Sequence, residues 1–99
     1  MRKAARRDDN HAEIVQALRQ VGCTVQDLAA VGDGCPDILV GFRGRNLCLE
    51  IKDGAKPPSA RKLTPEQCVW HKDWRGQVVV VENVDQALQV VTQAQTVRV

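Results

Sequence analysis

Asp37-Ile38-Leu39-Val40-Gly41-Phe42-Arg43-Gly44-Arg45-Asn46-Leu47-Cys48-Leu49-Glu50-Ile51-Lys52 reads as a β-hairpin. Two strand-like runs, Asp37 to Phe42 and Asn46 to Lys52, flank Arg43-Gly44-Arg45-Asn46. Gly44-Arg45 fits a two-residue loop with glycine first, the type II′ pattern. With Arg43 opposite Asn46, Phe42 faces Leu47, Val40 faces Leu49 and Ile38 faces Ile51. All three pairs are apolar and build one buried face. The other face carries Asp37, Leu39 and Gly41 on one strand and Cys48, Glu50 and Lys52 on its neighbour. In this register Asp37 directly opposes Lys52, and Glu50 is its diagonal neighbour. A three-residue loop would shift the register and spoil both faces.

Working outward, Asp9 or Asn10 can cap a helix running to about Val21, with Ile14, Val15, Leu18 and Val21 as its apolar stripe. Gly22 ends it, and Cys23 to Leu28 reads as a short strand. Ala29 to Pro36 is a loop containing Gly32-Asp33-Gly34. Beyond the hairpin, Asp53 to Leu63 holds Gly54, Pro57 and Pro58 and reads as a loop. Thr64-Pro65-Glu66-Gln67 is a helix start: threonine as N-cap, proline at the first helical position, glutamine placed for a capping box. That helix is predicted to run to Trp74, with Gly76 closing it. Gln77 to Glu82 is a continuous apolar strand, as in the middle of a covered sheet. Asn83 caps a last helix with Ala87, Leu88, Val90 and Val91 on its inner side, and Thr92 to Val99 frays or lies along a partner. The order α-β-β-β-α-β-α predicts an α/β fold, a mixed sheet with helices on both faces.

The 99 residues suffice for one domain, spanning 1–99 with residues 1–8 as a flexible basic tail. Dimerisation would add burial to so short a chain. A composition of 43% hydrophobic and 26% charged residues is ordinary for a soluble globular protein. The longest apolar run, Val78 to Val81, is far short of the about 20 residues that cross a bilayer. The basic start has no apolar segment behind it, so it is not a secretory signal, and a cytosolic setting is expected. The cysteines, Cys23, Cys35, Cys48 and Cys68, form no Cys-x-x-Cys pair and read as reduced, partly buried thiols. Cys68 and His71 could form half of a zinc site, but no second half has a recognisable spacing.

Net charge is only +2, yet its distribution is uneven. Arg2, Lys3, Arg6 and Arg7 cluster at the start, and Lys52, Lys56, Arg61 and Lys62 in the middle. Such patches suit contact with a phosphate backbone, and they also suit a solvated tail and loop.

Charged residues on a sheet face that helices should cover are costly unless paired. Asp37, Glu50 and Lys52 converge at one end of the hairpin. Two close carboxylates repel unless a cation sits between them. Magnesium takes one or two carboxylates, keeps several waters and fills its shell with phosphate oxygens. Such an ion can activate water for phosphodiester cleavage, and the Lys52 ammonium can orient that water or offset charge in the transition state. The glycines before Pro36-Asp37 would let a DNA backbone come close. The plainer alternative is a cross-strand Asp37–Lys52 ion pair with Glu50 facing solvent.

Pro36-Asp37, followed after twelve residues by Glu50-Ile51-Lys52, resembles the PD-(D/E)xK nuclease signature. More closely, the chain resembles a stand-alone, phage-type virus-type replication-repair nuclease domain of the VRR-NUC family, over roughly residues 10 to 91. Gly34-Cys35-Pro36-Asp37 matches its glycine-x-proline-aspartate segment, Glu50-Ile51-Lys52 its glutamate-x-lysine segment, and Leu63-Thr64-Pro65-Glu66-Gln67 its leucine-threonine-x-x-glutamine segment. Glu13 falls where such nucleases often carry an extra acidic residue. The resemblance implies a restriction-endonuclease-like core and a Mg2+- or Mn2+-dependent endonuclease acting on DNA. It implies Asp37, Glu50 and the Ile51 carbonyl as metal ligands, Lys52 serving the attacking water, and Gln67 and Glu13 supporting the site. It further implies a homodimer that cuts branched DNA such as four-way junctions, a phage-encoded origin, and residence in a bacterial host's cytoplasm.

Several residues carry a second reading. Gln67 is explained by its capping box without catalysis, and Glu13 by a solvent-facing helix position. His11 is a proton carrier by type but reads as a surface histidine near a helix start. His71, between Trp70 and Trp74, reads as packed or exposed rather than as a ligand. Trp70 and Trp74 share a helix face and suit a core or dimer interface. Lys56, Arg61, Lys62, Arg6 and Arg7 are the candidate phosphate contacts. A DNA-binding adaptor that keeps the nuclease fold without cutting is the competing function, and an interaction protein with a buried ion pair is a third.

Overall fold

The computed structural model describes residues 7–93. The expectations for Arg6 and for the last residues of the chain lie outside this range. The elements follow in the order α1 (His11–Gln20), β1 (Thr24–Asp27), β2 (Ile38–Phe42), β3 (Arg45–Ile51), α2 (Pro65–Asp73), β4 (Val78–Val81) and α3 (Val84–Thr92). A 3-10 turn, Pro58–Arg61, sits in the segment read as loop. The strands lie in the order β1-β2-β3-β4, antiparallel except for the parallel pair β3–β4. The α/β mixed sheet expected from the sequence is therefore present.

The hairpin forms, but its turn and register differ from expectation. Arg43 and Gly44 are the two turn residues, and both have positive φ, 52° and 78°. Positive φ at both central positions is the type I′ pattern, whose twist suits a hairpin. Phe42 therefore pairs with Arg45, Val40 with Leu47 and Ile38 with Leu49. The shift from the expected pairing is two residues. Side chains alternate with period two, so an even shift leaves every side chain on its expected face. Extended by one position, the observed register sets Asp37 opposite Glu50 rather than opposite Lys52.

Ile38, Val40, Leu47, Leu49 and Ile51 point into one core with Ile14 and Leu18 of α1 and Ala87 and Val91 of α3. Each of the valine, leucine and isoleucine side chains among them contributes about 1.5–3 kcal/mol when fully buried. Arg45 donates to the Val91 carbonyl at 2.8 Å, which fastens the hairpin to the end of α3. Asn10 does not cap α1 through its side chain. Its amide donates instead to the carbonyls of Lys52 and Glu82, at 3.2 and 3.0 Å, and so ties α1 to the ends of β3 and β4. Among the described residues the strand read as central, β4, pairs only with β3 and forms an edge. Val78 to Val80 are accordingly half-buried and only Val81 is fully buried.

The second face of β3 is covered by α2, whose position depends on Gly34. This glycine has φ +82°, and a Cβ there would meet the Glu66 carbonyl group, 2.6 Å from its carbon. Gly34 is thus required by the close approach of its loop to the start of α2. Gly34→Ala should lower stability by about 1–3 kcal/mol through strain and overpacking. A urea unfolding midpoint equal to that of the parent would show that the loop does not need this approach.

Candidate active site

The polar residues of the hairpin meet at the C-terminal end of β3. Glu50 and Lys52 are buried, 2% and 8% exposed, because α2 lies over their face of the sheet. A cleft of about 280 Å3 opens beside them, lined by Asp37, Glu50, Ile51, Lys52 and Gln67 together with Arg7, Asp8 and Lys56. The Asp37 carboxylate accepts from the Ile51 backbone N–H at 2.7 Å. A strand residue presents its N–H and C=O to the same neighbour, so this bond also turns the Ile51 carbonyl toward Asp37.

Gln67 joins the two charged residues of β3. Its carbonyl oxygen accepts from Lys52 Nζ at 2.9 Å, and its amide donates to Glu50 Oε2 at 3.1 Å. The same oxygen accepts from the Thr64 backbone N–H at 2.9 Å, completing the capping box. The capping and site readings of Gln67 are therefore one arrangement. Lys52 Nζ lies 3.9 Å from Glu50 Oε2, and His71 Nε2 lies 3.9 Å from Glu50 Oε1.

The electrostatics of this cluster are dominated by negative charge out of water. Burial first, then the adjacent Asp37 carboxylate and a hydrogen bond shared with it, push the Glu50 carboxyl up to about 8. The nearby Lys52 ammonium opposes this only in part. Burial, and then Lys52, lower His71, so that it favours the neutral imidazole. Burial, and then Arg7, do the same to His11. Glu50 Oε1 is buried without a hydrogen-bond partner. A group of three or more His, Cys, Asp or Glu side chains placed to hold a metal is absent among the described residues, and Cys68 and His71 gain no second half there. The donors at hand are two carboxylates and a backbone carbonyl, a set that suits magnesium, which needs one or two carboxylates and keeps its waters. An ionised Glu50 beside Asp37 requires positive charge that the side chains do not supply in full. The residues present therefore fit a hard divalent cation.

The remaining candidates divide. Glu13 is exposed and lines a separate cleft with Asn10, Asp53, Glu82 and Asp85, so the structure does not bring it to Asp37 and Glu50. Asp8, which the sequence reading did not single out, lines the Asp37–Glu50 cleft and helps to raise Glu50. Lys56 reaches both Asp8 and Asp9 at 3.8 Å. Arg61 is held by Glu82 at 3.3 Å and by the Lys56 carbonyl at 2.8 Å. Lys62 is exposed. Arg7 donates to Asp27 and to His11 Nε2, the latter at 2.9 Å. His11 is 6% exposed, not a surface histidine. Trp70 and Trp74 stack at 4.5 Å, with Trp74 and Val69 exposed on the outer side of α2. The four cysteines are free thiols, with Cys23 and Cys48 buried and Cys68 exposed.

No family model and no curated protein matches the chain. Among solved structures, it is similar to one described as a VRR_NUC domain, with a TM-score of 0.62 and 24% identity over 85% of this chain and 96% of that one. The fold is thus the one that the sequence resemblance implied.

The raised Glu50 carboxyl has a consequence for stability. Its folded value, about 8, lies above its ordinary 4.5, so the folded state holds the proton more tightly. The stability this contributes is complete below about pH 4.5 and is lost as pH rises to about 8. The lowered histidines act in the opposite sense, so the effect is isolated by subtraction. In chelator-treated protein, the unfolding free energy of the parent minus that of Glu50→Gln should fall across this window. A difference that stays flat with pH would contradict the buried, proton-holding Glu50.

Proposed function

We propose that the protein is a metal-dependent endonuclease that hydrolyses phosphodiester bonds in DNA, with Mg2+ or Mn2+ as its ion. The observation that carries this reading is the convergence of Asp37, Glu50, Ile51, Lys52 and Gln67 on one small cleft at the end of β3. The likeness of the fold to a VRR_NUC domain supports it. Asp37, Glu50 and the Ile51 carbonyl would hold the ion, which would supply charge to acidify a water and to offset the negative charge that builds on the phosphate oxygens as phosphorus is attacked.

The chain's own groups do the rest. Gln67 keeps the Lys52 ammonium from swinging out of the cleft, so that its charge is already in place where negative charge develops. The Ile51 N–H holds one Asp37 oxygen and fixes the carboxylate's direction. Lys56, Lys62 and Arg7 are the phosphate contacts we assign. Arg61 reaches a phosphate only by releasing Glu82. We further propose a homodimer acting on branched DNA such as four-way junctions, because two copies would present two cleft sites to two strands. The outer face of α2, with Val69, Trp70 and Trp74 beside Asp33, Glu66 and Asp73, supports a protein contact there. Its acidic rim would repel a phosphate backbone.

Asp37→Asn and Lys52→Ala should each lower the single-turnover rate on a four-way junction by about a hundredfold or more, in protein that circular dichroism shows to be folded. Lys62→Ala should instead weaken DNA binding and reduce the slope of log K against log salt by about one. Undiminished cutting by both site variants would remove the assigned roles. Binding without cutting, across duplex, flap, fork and junction with either ion, would make the protein an adaptor.

A further inference from the structure

Resting on the metal-site reading above, we propose that His71 is a positioning residue for Glu50: its Nε2–H holds the inner carboxylate oxygen, Oε1, while Gln67 holds the outer one. The motivating observation is a pair of buried atoms without hydrogen-bond partners, Glu50 Oε1 and His71 Nε2. They face each other at 3.9 Å. A buried polar atom without a partner needs an explanation, and two such atoms face to face explain one another. The separation is about 1 Å longer than an N–H···O bond. Hydrogen bonds in sites without their ligand are often long and tighten when it binds.

Helix geometry makes the arrangement possible. Gln67 and His71 are one turn apart on α2 and share a face. That face lies over β3, so the two side chains reach the two oxygens of a single carboxylate, Gln67 at Oε2 and His71 at Oε1. A carboxylate held at both oxygens cannot rotate, so the direction of Glu50 is fixed when the long His71 contact closes as an ion binds. A neutral imidazole with its hydrogen on Nε2 supplies the donor that this requires. Trp70 stacks edge-on against the His71 ring at 6.0 Å and limits its rotation. The role is distinct from ligation, since His71 does not line the cleft.

The test is Mn2+ binding by isothermal titration calorimetry on the full chain, without DNA. His71→Met keeps the bulk and removes the donor, and His71→Gln restores a donor near the position of Nε2. The Met variant should bind Mn2+ about tenfold or more weakly, and the Gln variant should recover most of the loss. Should His71→Met fail to fold, His71→Asn takes its place, because its shorter amide falls short of Oε1 and should bind as weakly. Affinity in the Met variant equal to that of the parent would overturn the proposal. So would equal weakening in the Gln and Met variants with matching losses of melting temperature, which would make His71 a packing residue. Parent protein that binds no Mn2+ would overturn this inference together with the metal site on which it rests.

Discussion

The amide of Gln67 is the link on which the arrangement turns. It closes the N-terminus of α2 through Thr64, and in the same place it joins Lys52 to Glu50. A helix laid over charged residues would ordinarily lose more by desolvating them than it gains by packing. Here the helix brings the hydrogen-bonding groups with it. This explains why α2 buries none of its own residues fully, while α1 and α3 pack their apolar stripes against the opposite face. One side of the sheet is held by hydrocarbon, the other by a small polar network. Such a network is valuable only when it is satisfied, because an unpaired group in a low dielectric costs more than a bond returns.

That division of labour concentrates strain in the site. Burying Glu50 beside Asp37 favours holding a proton over bearing a second negative charge. The protein would lower the cost by moving Glu50 to the surface, but Glu50 sits on β3 between Leu49 and Ile51, both in the core. Its position is therefore imposed by the strand. A divalent cation, as proposed for this site, would resolve the conflict by making the ionised pair favourable. The site and the fold are linked in that sense: the strand that supplies the core also delivers the charged cluster.

The cationic residues show how intramolecular contacts reassign charge. Lys56, Arg61 and Arg7 all read as phosphate contacts in the sequence. Each meets a carboxylate of the chain itself: Asp8 and Asp9, Glu82, and Asp27 in turn. The Arg7–Asp27 and Lys56–Asp9 pairs are exposed and worth little, roughly 0–1 kcal/mol, so they can be exchanged for a polyanion at small cost, whereas the Arg61–Glu82 pair is half-buried. Arg61 is the firmest of the three, because it also donates to the Lys56 carbonyl and so braces the segment that carries Lys56.

The sequence by itself determined the element order, the two faces of the hairpin and the cap of α2. These follow from local rules: side chains alternate along a strand, and Thr64-Pro65-Glu66-Gln67 can start a helix in few other ways. Pro36-Asp37 and Glu50-Ile51-Lys52 were legible as one cluster for the same reason. Parity survives a two-residue slip, so the faces were right although the register was not. Only the tertiary structure decided which residues join that cluster from elsewhere. Glu13 and Asp8 are both acidic residues near the start of α1, but only Asp8 lies on the cleft. His71 faces Glu50 because α2 lies across that residue. Such meetings depend on how a helix sits across a sheet, and that is set by the summed packing of distant residues, including the close approach at Gly34, which no local pattern encodes.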